Sequence, residues 1–125
     1  MTKILLIDDD ELIRKSVCKV LELEPYDVHA VASARKAMEY LDSEKVDIVI
    51  TDIFMPITDG FEIIEEIHIK HPVVKIIAMT GGVDHLFDPD TALDVAERTG
   101  AHCVIKKPCR GKEILEAVRE LIDWT

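Results

Sequence analysis

Five short apolar segments alternate with five longer segments in which apolar residues recur at helical spacing. The apolar segments cover residues 3–7, 27–31, 46–51, 73–79 and 102–105, and each is followed by a predicted helix. Strict alternation of this kind predicts one parallel sheet with helices on both faces, joined by right-handed crossovers. The predicted fold class is therefore α/β, with five βα units and a doubly wound five-stranded sheet.

Local signals set the ends of the predicted helices. The first helix, whose apolar positions include Leu12 and Leu23, is stopped by Pro25. Ser33 is a favourable N-cap for the second. The third runs over 60–71, the fourth over 88–100 with Gly100 at its end, and the fifth over 111–124. All 125 residues then form one domain, 1–125.

Composition narrows the range of partners and compartments. A net charge of -10 argues against direct binding of nucleic acid, whose phosphates are bound by basic surfaces. The sequence contains no apolar stretch long enough to span a bilayer, and its first residues lack the layout of a signal peptide. Three cysteines without metal-ligand spacing fit a reducing compartment, so the expected location is the cytoplasm, away from membranes.

The segment after the third apolar run carries the clearest candidate for chemistry. Asp52 ends that run, and Pro56 prevents the chain from passing directly from strand to helix. Asp59 and Gly60 then form a turn signal before the next helix. In open α/β sheets, sites form at the carboxyl ends of the strands, so Asp52 is expected at the mouth of such a site.

Four predicted strands end in polar residues that would share one edge of the sheet. These residues are Asp8 and Asp9 after the first strand, Asp52 after the third, Thr80 after the fourth and Lys107 after the fifth. Close carboxylates repel one another unless a cation lies between them. Oxygen ligands in small number suit Mg²⁺, and a carboxylate can accept a phosphoryl group. Asp52 is the predicted nucleophile, with Mg²⁺ and Lys107 neutralising charge.

Each of these features has a simpler explanation when taken alone. Acidic residues before a helix often compensate the helix dipole. Thr80 before two glycines is compatible with an ordinary turn, and a Lys-Pro pair after a strand usually marks its end. The functional interpretation is preferred because all of these residues fall at the same predicted edge.

The sequence resembles the receiver domain of two-component response regulators, of the chemotaxis-regulator type. The segments that carry the resemblance are ILLIDDDELIR, DIFMPITDG, MTGG and IKKPCR, and together they extend over almost the whole chain. The resemblance implies the flavodoxin-like strand order 2-1-3-4-5. It also implies a protein that is not an enzyme in the usual sense but assists its own phosphorylation and dephosphorylation.

The resemblance assigns a role to each residue of the predicted site. Asp52 matches the phosphoacceptor, Asp9 the direct Mg²⁺ ligand, and Asp8 an acidic partner that acts through water. The backbone carbonyl of Phe54 matches the third protein ligand of the metal. Thr80 matches the switch hydroxyl. Lys107 matches the invariant lysine, and its peptide bond to Pro108 is expected to be cis.

The resemblance also implies partners. A histidine kinase or a histidine phosphotransfer protein would donate the phosphoryl group after docking near the first helix, where Arg14, Lys15 and Cys18 are candidate contacts. Movement of Thr80 and Lys107 would then repack the face formed by the fourth helix, the fifth strand and the fifth helix. A downstream protein would recognise that face.

The sequence departs from the family pattern in several places. Val104 stands where the family usually has an aromatic switch residue, and Cys109 stands where phenylalanine is common. The segment 81–88 is longer than in compact members and is expected to form a mobile loop. Phe54, two residues after the phosphoacceptor, is expected to shield the acyl phosphate from water.

Other interpretations remain open at this stage. An aspartate-nucleophile phosphatase is the main enzymatic alternative, although such enzymes usually carry a D-x-D motif after the first strand and a cap domain. A nucleotide-binding flavodoxin-like module is disfavoured because no glycine-rich turn follows the first strand. A degenerate receiver is disfavoured because every catalytic position is filled. The chain is either a stand-alone regulator or a receiver from a longer regulator or hybrid kinase.

Overall fold

The computed structural model of the protein describes residues 1–53, 60–81, 94, 97–107 and 110–123, in which five parallel strands form one sheet. The strands are β1 (Lys3–Ile7), β2 (Asp27–Val31), β3 (Ile48–Asp52), β4 (Lys75–Gly81) and β5 (Cys103–Lys107). The helices with described bounds are α1 (Glu11–Leu21), α2 (Ala34–Ser43), α3 (Gly60–Lys70) and α4 (Gly111–Asp123). The helix labelled α4 is the predicted fifth helix. The order β2-β1-β3-β4-β5 confirms the predicted fold class.

The sheet separates two hydrophobic cores. Side chains of β1 alternate between them: Leu5 and Ile7 lie on the side covered by α2 and α3, and Leu6 lies on the side covered by α1 and α4. This alternation follows from the two-residue period of a strand. Ile64 of α3 and Val118 of α4 are both fully buried against the sheet. A sheet covered on both faces explains why its strands are apolar throughout.

The capping signals that the sequence suggested are present. Ser33 has extended backbone angles and its Oγ accepts a hydrogen bond from the backbone N–H of Lys36 at 3.3 Å, which caps α2. Asp94 and residues 97–99 are helical, and Gly100 follows them as a turn residue with φ of 131°. The rest of the predicted helix 88–100 lies outside the described residues.

Two of the apolar positions that predicted the first helix are exposed. Leu12 is 75% exposed and Leu23 is 78% exposed. Leu12 lies in the first turn of α1, and Leu23 lies beyond its end, where the backbone N–H of Glu22 still bonds to the carbonyl of Cys18. The helix buries Val17 and Leu21 and ends at Leu21, before the predicted stop at Pro25, because helical spacing alone does not show where contact with the sheet stops.

The fourth and fifth strands also differ from their predicted bounds. β4 begins at Lys75, two residues later than expected, because Val74 closes a turn onto His71 and Val73 is 83% exposed. β5 continues through Lys106 and Lys107, which were expected to break it. Both lysines pair with the end of β4, and this pairing keeps them in extended conformation.

The described residues also include two of the three cysteines. Cys18 on α1 and Cys103 on β5 are free thiols, each half-buried against the core between the sheet and α4. Burial raises the pKa of both thiols above the ordinary value. Within the described part of the chain, no helix combines the length and the apolar character needed to cross a membrane.

His102 joins the start of β5 to β4. Its ring Nδ1 accepts a hydrogen bond from the backbone N–H of Ile76 at 3.0 Å, and the backbone N–H of His102 donates to the carbonyl of Ile76 at 2.8 Å. The accepting Nδ1 carries no proton, so this contact requires the neutral ring. Partial burial, followed by the charges of Lys75 and His68, lowers the pKa of His102 below its ordinary value of 6.5.

We expect His102 to make the stability of the protein depend on pH. Because the pKa is lower in the folded state, this contribution is fully present above about pH 6.5 and is lost as the pH falls through the folded-state pKa. The variant His102→Asn keeps an acceptor near Nδ1 but does not titrate. Urea unfolding from about pH 7.5 to about pH 5.5 should show a steeper loss in the natural protein than in the variant. Parallel pH profiles would contradict this assignment.

Candidate functional site

Three carboxylates meet at the carboxyl edge of the sheet. One oxygen from each of Asp8, Asp9 and Asp52 lies within 4.8 Å of the others. Asp8 is fully buried, Asp52 is 7% exposed, and Asp9 faces solvent. The three carboxylates predicted from sequence to share one edge of the sheet are therefore brought together.

The pairing of β1 with β3 creates this arrangement. The two strands are adjacent and parallel, and Ile7 is in register with Thr51. The next residues of the two strands, Asp8 and Asp52, must then lie side by side where the strands end. Asp9 follows within the loop between β1 and α1.

Asp8 is fixed by hydrogen bonds at three of its atoms. Its backbone N–H donates to the carbonyl of Val31 at 3.2 Å, and its Oδ1 accepts from the backbone N–H of Asp10 at 2.9 Å. Its backbone carbonyl accepts from Nη1 of Arg14 at 2.8 Å. The carboxylate is thereby held in one orientation, which a rigid binding site requires.

Asp10, the third acidic residue of the run, has a different role. It has extended backbone angles and its Oδ1 accepts from the backbone N–H of Leu12 at 2.9 Å, which makes it the N-cap of α1. The simpler interpretation of an acidic run before a helix is therefore correct for Asp10, whereas Asp8 and Asp9 turn toward Asp52. The N-cap role of Asp10 was not predicted from the sequence, although an aspartate directly before a helix is itself a capping signal.

Asp52 is held by the end of β3 and by β4. The hydroxyl of Thr51 donates to the backbone carbonyl of Asp52 at 3.2 Å, and the backbone N–H of Ile53 donates to the carbonyl of Met79 at 2.9 Å. These bonds fix the backbone where β3 ends at Asp52. The carboxylate of Asp52 is thus carried on a rigid strand end rather than on a loop.

The backbones of Thr80 and Lys107 lie at the same end of the sheet. Met79 is the register partner of Asp52, so Thr80 comes one residue further toward this edge. Lys107 is the last residue of β5 and is paired with Gly81. Their backbone positions agree with the predicted rim, while their side chains, together with Phe54, Pro108 and the segment 82–88, lie outside the described part of the structure.

The structure describes Val104, which stands where the family usually has an aromatic switch residue. It is half-buried and packs against the core on the α2 and α3 side of the sheet. A branched side chain in that position fills core volume. It has no ring to move between an inward and an outward position.

The donor set suits a hard divalent cation. It consists only of carboxylate oxygens, two of them buried, at separations that one ion can bridge. Mg²⁺ prefers such oxygen ligands and keeps several water molecules. Asp8, Asp9 and Asp52 are the residues of the described chain that would hold it.

The fold and the site together define a class of protein. A five-stranded parallel sheet of order 2-1-3-4-5, with an acidic cluster at its carboxyl edge, is the architecture of flavodoxin-like receiver domains. The model of the response regulator receiver domain family matches residues 4–119. The chain belongs to this family, the receiver domains of two-component response regulators.

Individual relatives agree with this assignment. A CheY-like response regulator receiver domain from Methanospirillum hungatei JF-1 is 30% identical, with a TM-score of 0.88 over 98% of this chain and 94% of that one. The regulatory protein VanR of Enterococcus faecium is 36% identical over 117 residues. The sensor kinase CckA of Brucella abortus is 29% identical over 122 residues.

The chain spans only part of these longer relatives. The match with VanR spans 94% of this chain and 48% of VanR. The match with CckA spans 96% of this chain and 12% of CckA. The similarity therefore concerns the receiver domain, which occurs both in regulators and within sensor kinases.

Proposed function

We propose that this domain accepts a phosphoryl group on Asp52 and passes the signal to a partner protein. The observation that carries the proposal is the convergence of Asp8, Asp9 and Asp52 within 4.8 Å at the sheet edge of a receiver-family chain. A histidine kinase or a histidine phosphotransfer protein is the proposed donor, because two-component receivers act with such proteins. The proposed unit is one receiver domain, residues 1–125, acting in the cytoplasm.

The transfer itself is a displacement at phosphorus. A carboxylate oxygen of Asp52 forms a bond to phosphorus while the bond from phosphorus to the donor imidazole nitrogen breaks, and that nitrogen keeps the electron pair. Such a reaction depends mostly on positioning and on neutralising charge. Mg²⁺ bound by Asp8, Asp9, Asp52 and the carbonyl of Phe54 would supply neutralisation. The rigid end of β3 keeps the attacking oxygen in place.

Thr80 and Lys107 complete the proposed site. The hydroxyl of Thr80 donates a hydrogen bond to a phosphoryl oxygen, and the ammonium of Lys107 pairs with another. Support comes from their positions at the end of β4, which pairs with the strand that carries Asp52, and at the end of β5, which pairs with β4. Their movement toward the phosphoryl group would alter the face that includes β5 and α4, and a downstream protein would read this change. Because Val104 has no aromatic ring, the coupling between the site and this face would not depend on rotation of an aromatic side chain at that position.

The outer side of α1 is the proposed docking surface for the donor. Leu12 is 75% exposed in the first turn, next to the acidic loop, and Lys15 is exposed one turn further. An exposed apolar side chain can pack against a partner, and a neighbouring cation can attract acidic groups on that partner. Arg14, in contrast, bonds to the carbonyl of Asp8, and Cys18 is half-buried, so Leu12 and Lys15 are the better contact candidates.

Acetyl phosphate with Mg²⁺, followed by intact-mass spectrometry, tests the proposal. We expect the mass of one phosphoryl group to be added, the adduct to be lost in base, and labelling to disappear when a chelator removes the metal. A phosphomonoester substrate is incubated in parallel. Sustained turnover of that ester would favour the aspartate-nucleophile phosphatase, and a folded, Mg²⁺-bound protein that takes up no phosphoryl group from acetyl phosphate or a histidine donor would contradict the proposal.

A further inference from the structure

A positively charged side chain, that of Arg14, contacts the acidic loop. Nη1 of Arg14 donates to the backbone carbonyl of Asp8 at 2.8 Å. Asp8 is fully buried, so this carbonyl would be left without that charged donor if the arginine were removed. A hydrogen bond to a charged group inside a protein is stronger than one between neutral groups.

The position of Arg14 on α1 explains how the side chain reaches the loop. Long side chains on a helix point back toward its N-terminus. The backbone N–H of Arg14 bonds to the carbonyl of Asp10 at 3.0 Å, one residue from the metal ligands, and its side chain extends further back to Asp8. The segment from Asp8 to Asp10 is therefore held to α1 by both the backbone and the side chain of one residue.

Electrostatics alone would disfavour an arginine here. A positive charge beside three carboxylates competes with a divalent cation for the same negative field. Removing the charge should then increase the affinity for Mg²⁺, whereas loosening the loop should decrease it. The two effects have opposite signs, so measuring the affinity separates them.

We propose that Arg14 is a positioning residue that holds the loop of Asp8 and Asp9 in the geometry needed to bind Mg²⁺ with Asp52. The inference rests on the proposed function, because it assigns Arg14 a part in the same metal site. Groups that orient metal ligands without touching the metal commonly affect affinity by an order of magnitude. Arg14 would act in this way through the backbone of a ligand residue.

Titration with MgCl₂ followed by NMR of the backbone amides measures the affinity in four proteins. They are the natural protein, Arg14→Gln, Arg14→Lys and Lys15→Gln. Lys15→Gln is the matched control, because it removes a positive charge from the next residue of α1, whose ammonium pairs with Glu11 at 3.1 Å rather than with the acidic loop. Amide exchange at Asp10, whose N–H donates to Oδ1 of Asp8, reports the order of the loop without metal.

We expect Arg14→Gln to bind Mg²⁺ about five- to tenfold more weakly, with faster exchange at Asp10. Arg14→Lys keeps the positive charge and can still donate a hydrogen bond, but from a differently shaped side chain. Its affinity for Mg²⁺ should therefore fall only about two- to threefold. Lys15→Gln should bind as tightly as the natural protein or slightly more tightly. If Arg14→Gln does not fold, Arg14→Lys decides the question by the same two measurements.

Affinity and Asp10 exchange that are unchanged in both Arg14 variants would overturn the inference. Tighter binding in Arg14→Gln, matched by Lys15→Gln, would also overturn it and show that the arginine acts only through its charge. If the natural protein itself binds no Mg²⁺, the proposed metal site fails, and the inference fails with it. That outcome is recognised from the natural protein before any variant is compared.

Discussion

Replacing Asp52 by asparagine is expected to abolish phosphoryl uptake and, in the absence of metal, to stabilise the folded protein. Asparagine fills almost the same space but offers no anionic oxygen to attack phosphorus. It also removes one of three charges whose oxygens lie within 4.8 Å of one another. At an effective dielectric of about 20, two unit charges at that separation repel by about 3.5 kcal/mol before hydrogen bonds and solvent reduce the effect.

The net gain in stability should be about 1 kcal/mol in chelator, because hydrogen bonds to the carboxylates offset most of the repulsion. At saturating Mg²⁺ the natural protein should instead be more stable than Asp52→Asn, since the ion stabilises the natural protein by binding only its folded state. Urea unfolding with chelator and with Mg²⁺ gives both comparisons. Equal responses to Mg²⁺ in the natural protein and in Asp52→Asn would show that Asp52 is not a ligand.

Asp10→Asn is the matched control for this substitution. It removes an equal charge from the acidic loop that adjoins Asp52, and asparagine is as good an N-cap as aspartate for α1. Labelling by acetyl phosphate should stay within about twofold of the natural level. Loss of labelling in Asp10→Asn as well would mean that the total charge of the loop, rather than Asp52 itself, controls the reaction.

Among the substitutions considered, Gly100→Ala is expected to cause the largest decrease in the free energy of unfolding. Gly100 has φ of 131°, a conformation that residues with a side chain rarely adopt. A Cβ built there would lie 2.8 Å from Cγ and 2.9 Å from Cβ of His68, which is closer than packed atoms approach. Backbone strain and overpacking each cost about 1 to 3 kcal/mol, so the free energy of unfolding should fall by about 3 kcal/mol or more.

Two further variants separate the strain from the clash. The double variant Gly100→Ala with His68→Ala relieves the contact but keeps the strained backbone, so it should recover only part of the loss beyond that of His68→Ala alone. Gly111→Ala places a Cβ 2.7 Å from Cγ2 of Val20 without positive φ, and it gains helix propensity in α4. Its loss should be smaller. A Gly100→Ala protein as stable as the natural one would contradict the positive-φ assignment.

Much of the site was predictable because it depends on strand ends. An acidic residue directly after a buried strand marks the carboxyl edge of a parallel sheet, and this argument identified Asp8, Asp9 and Asp52. The chemistry expected of Thr80 and Lys107 rests on the same argument and on the family resemblance, and their backbones lie at that edge. The roles of all five residues stay predictions, and the Asp52→Asn experiment tests the central one.

Other features were not predictable because they depend on contacts distant in sequence. Leu12 belongs to an apolar pattern, yet it lies beyond the area where α1 meets the sheet and is exposed. Lys106 and Lys107 resemble the end of a strand, but pairing with β4 extends β5 through both. Arg14 looked like a surface contact for a partner until its hydrogen bond to Asp8 was seen.

The sequence by itself determined the alternation of strands and helices, the capping at Ser33 and Gly100, and the choice of carboxylates for the site. These features are local, because they follow from the spacing of apolar residues and from backbone preferences of single residues. Only the tertiary structure decided the register of Ile7 with Thr51, which sets Asp8 beside Asp52, and the hold of Arg14 on the acidic loop. Both depend on which buried groups find hydrogen-bond partners once the sheet and α1 have packed together.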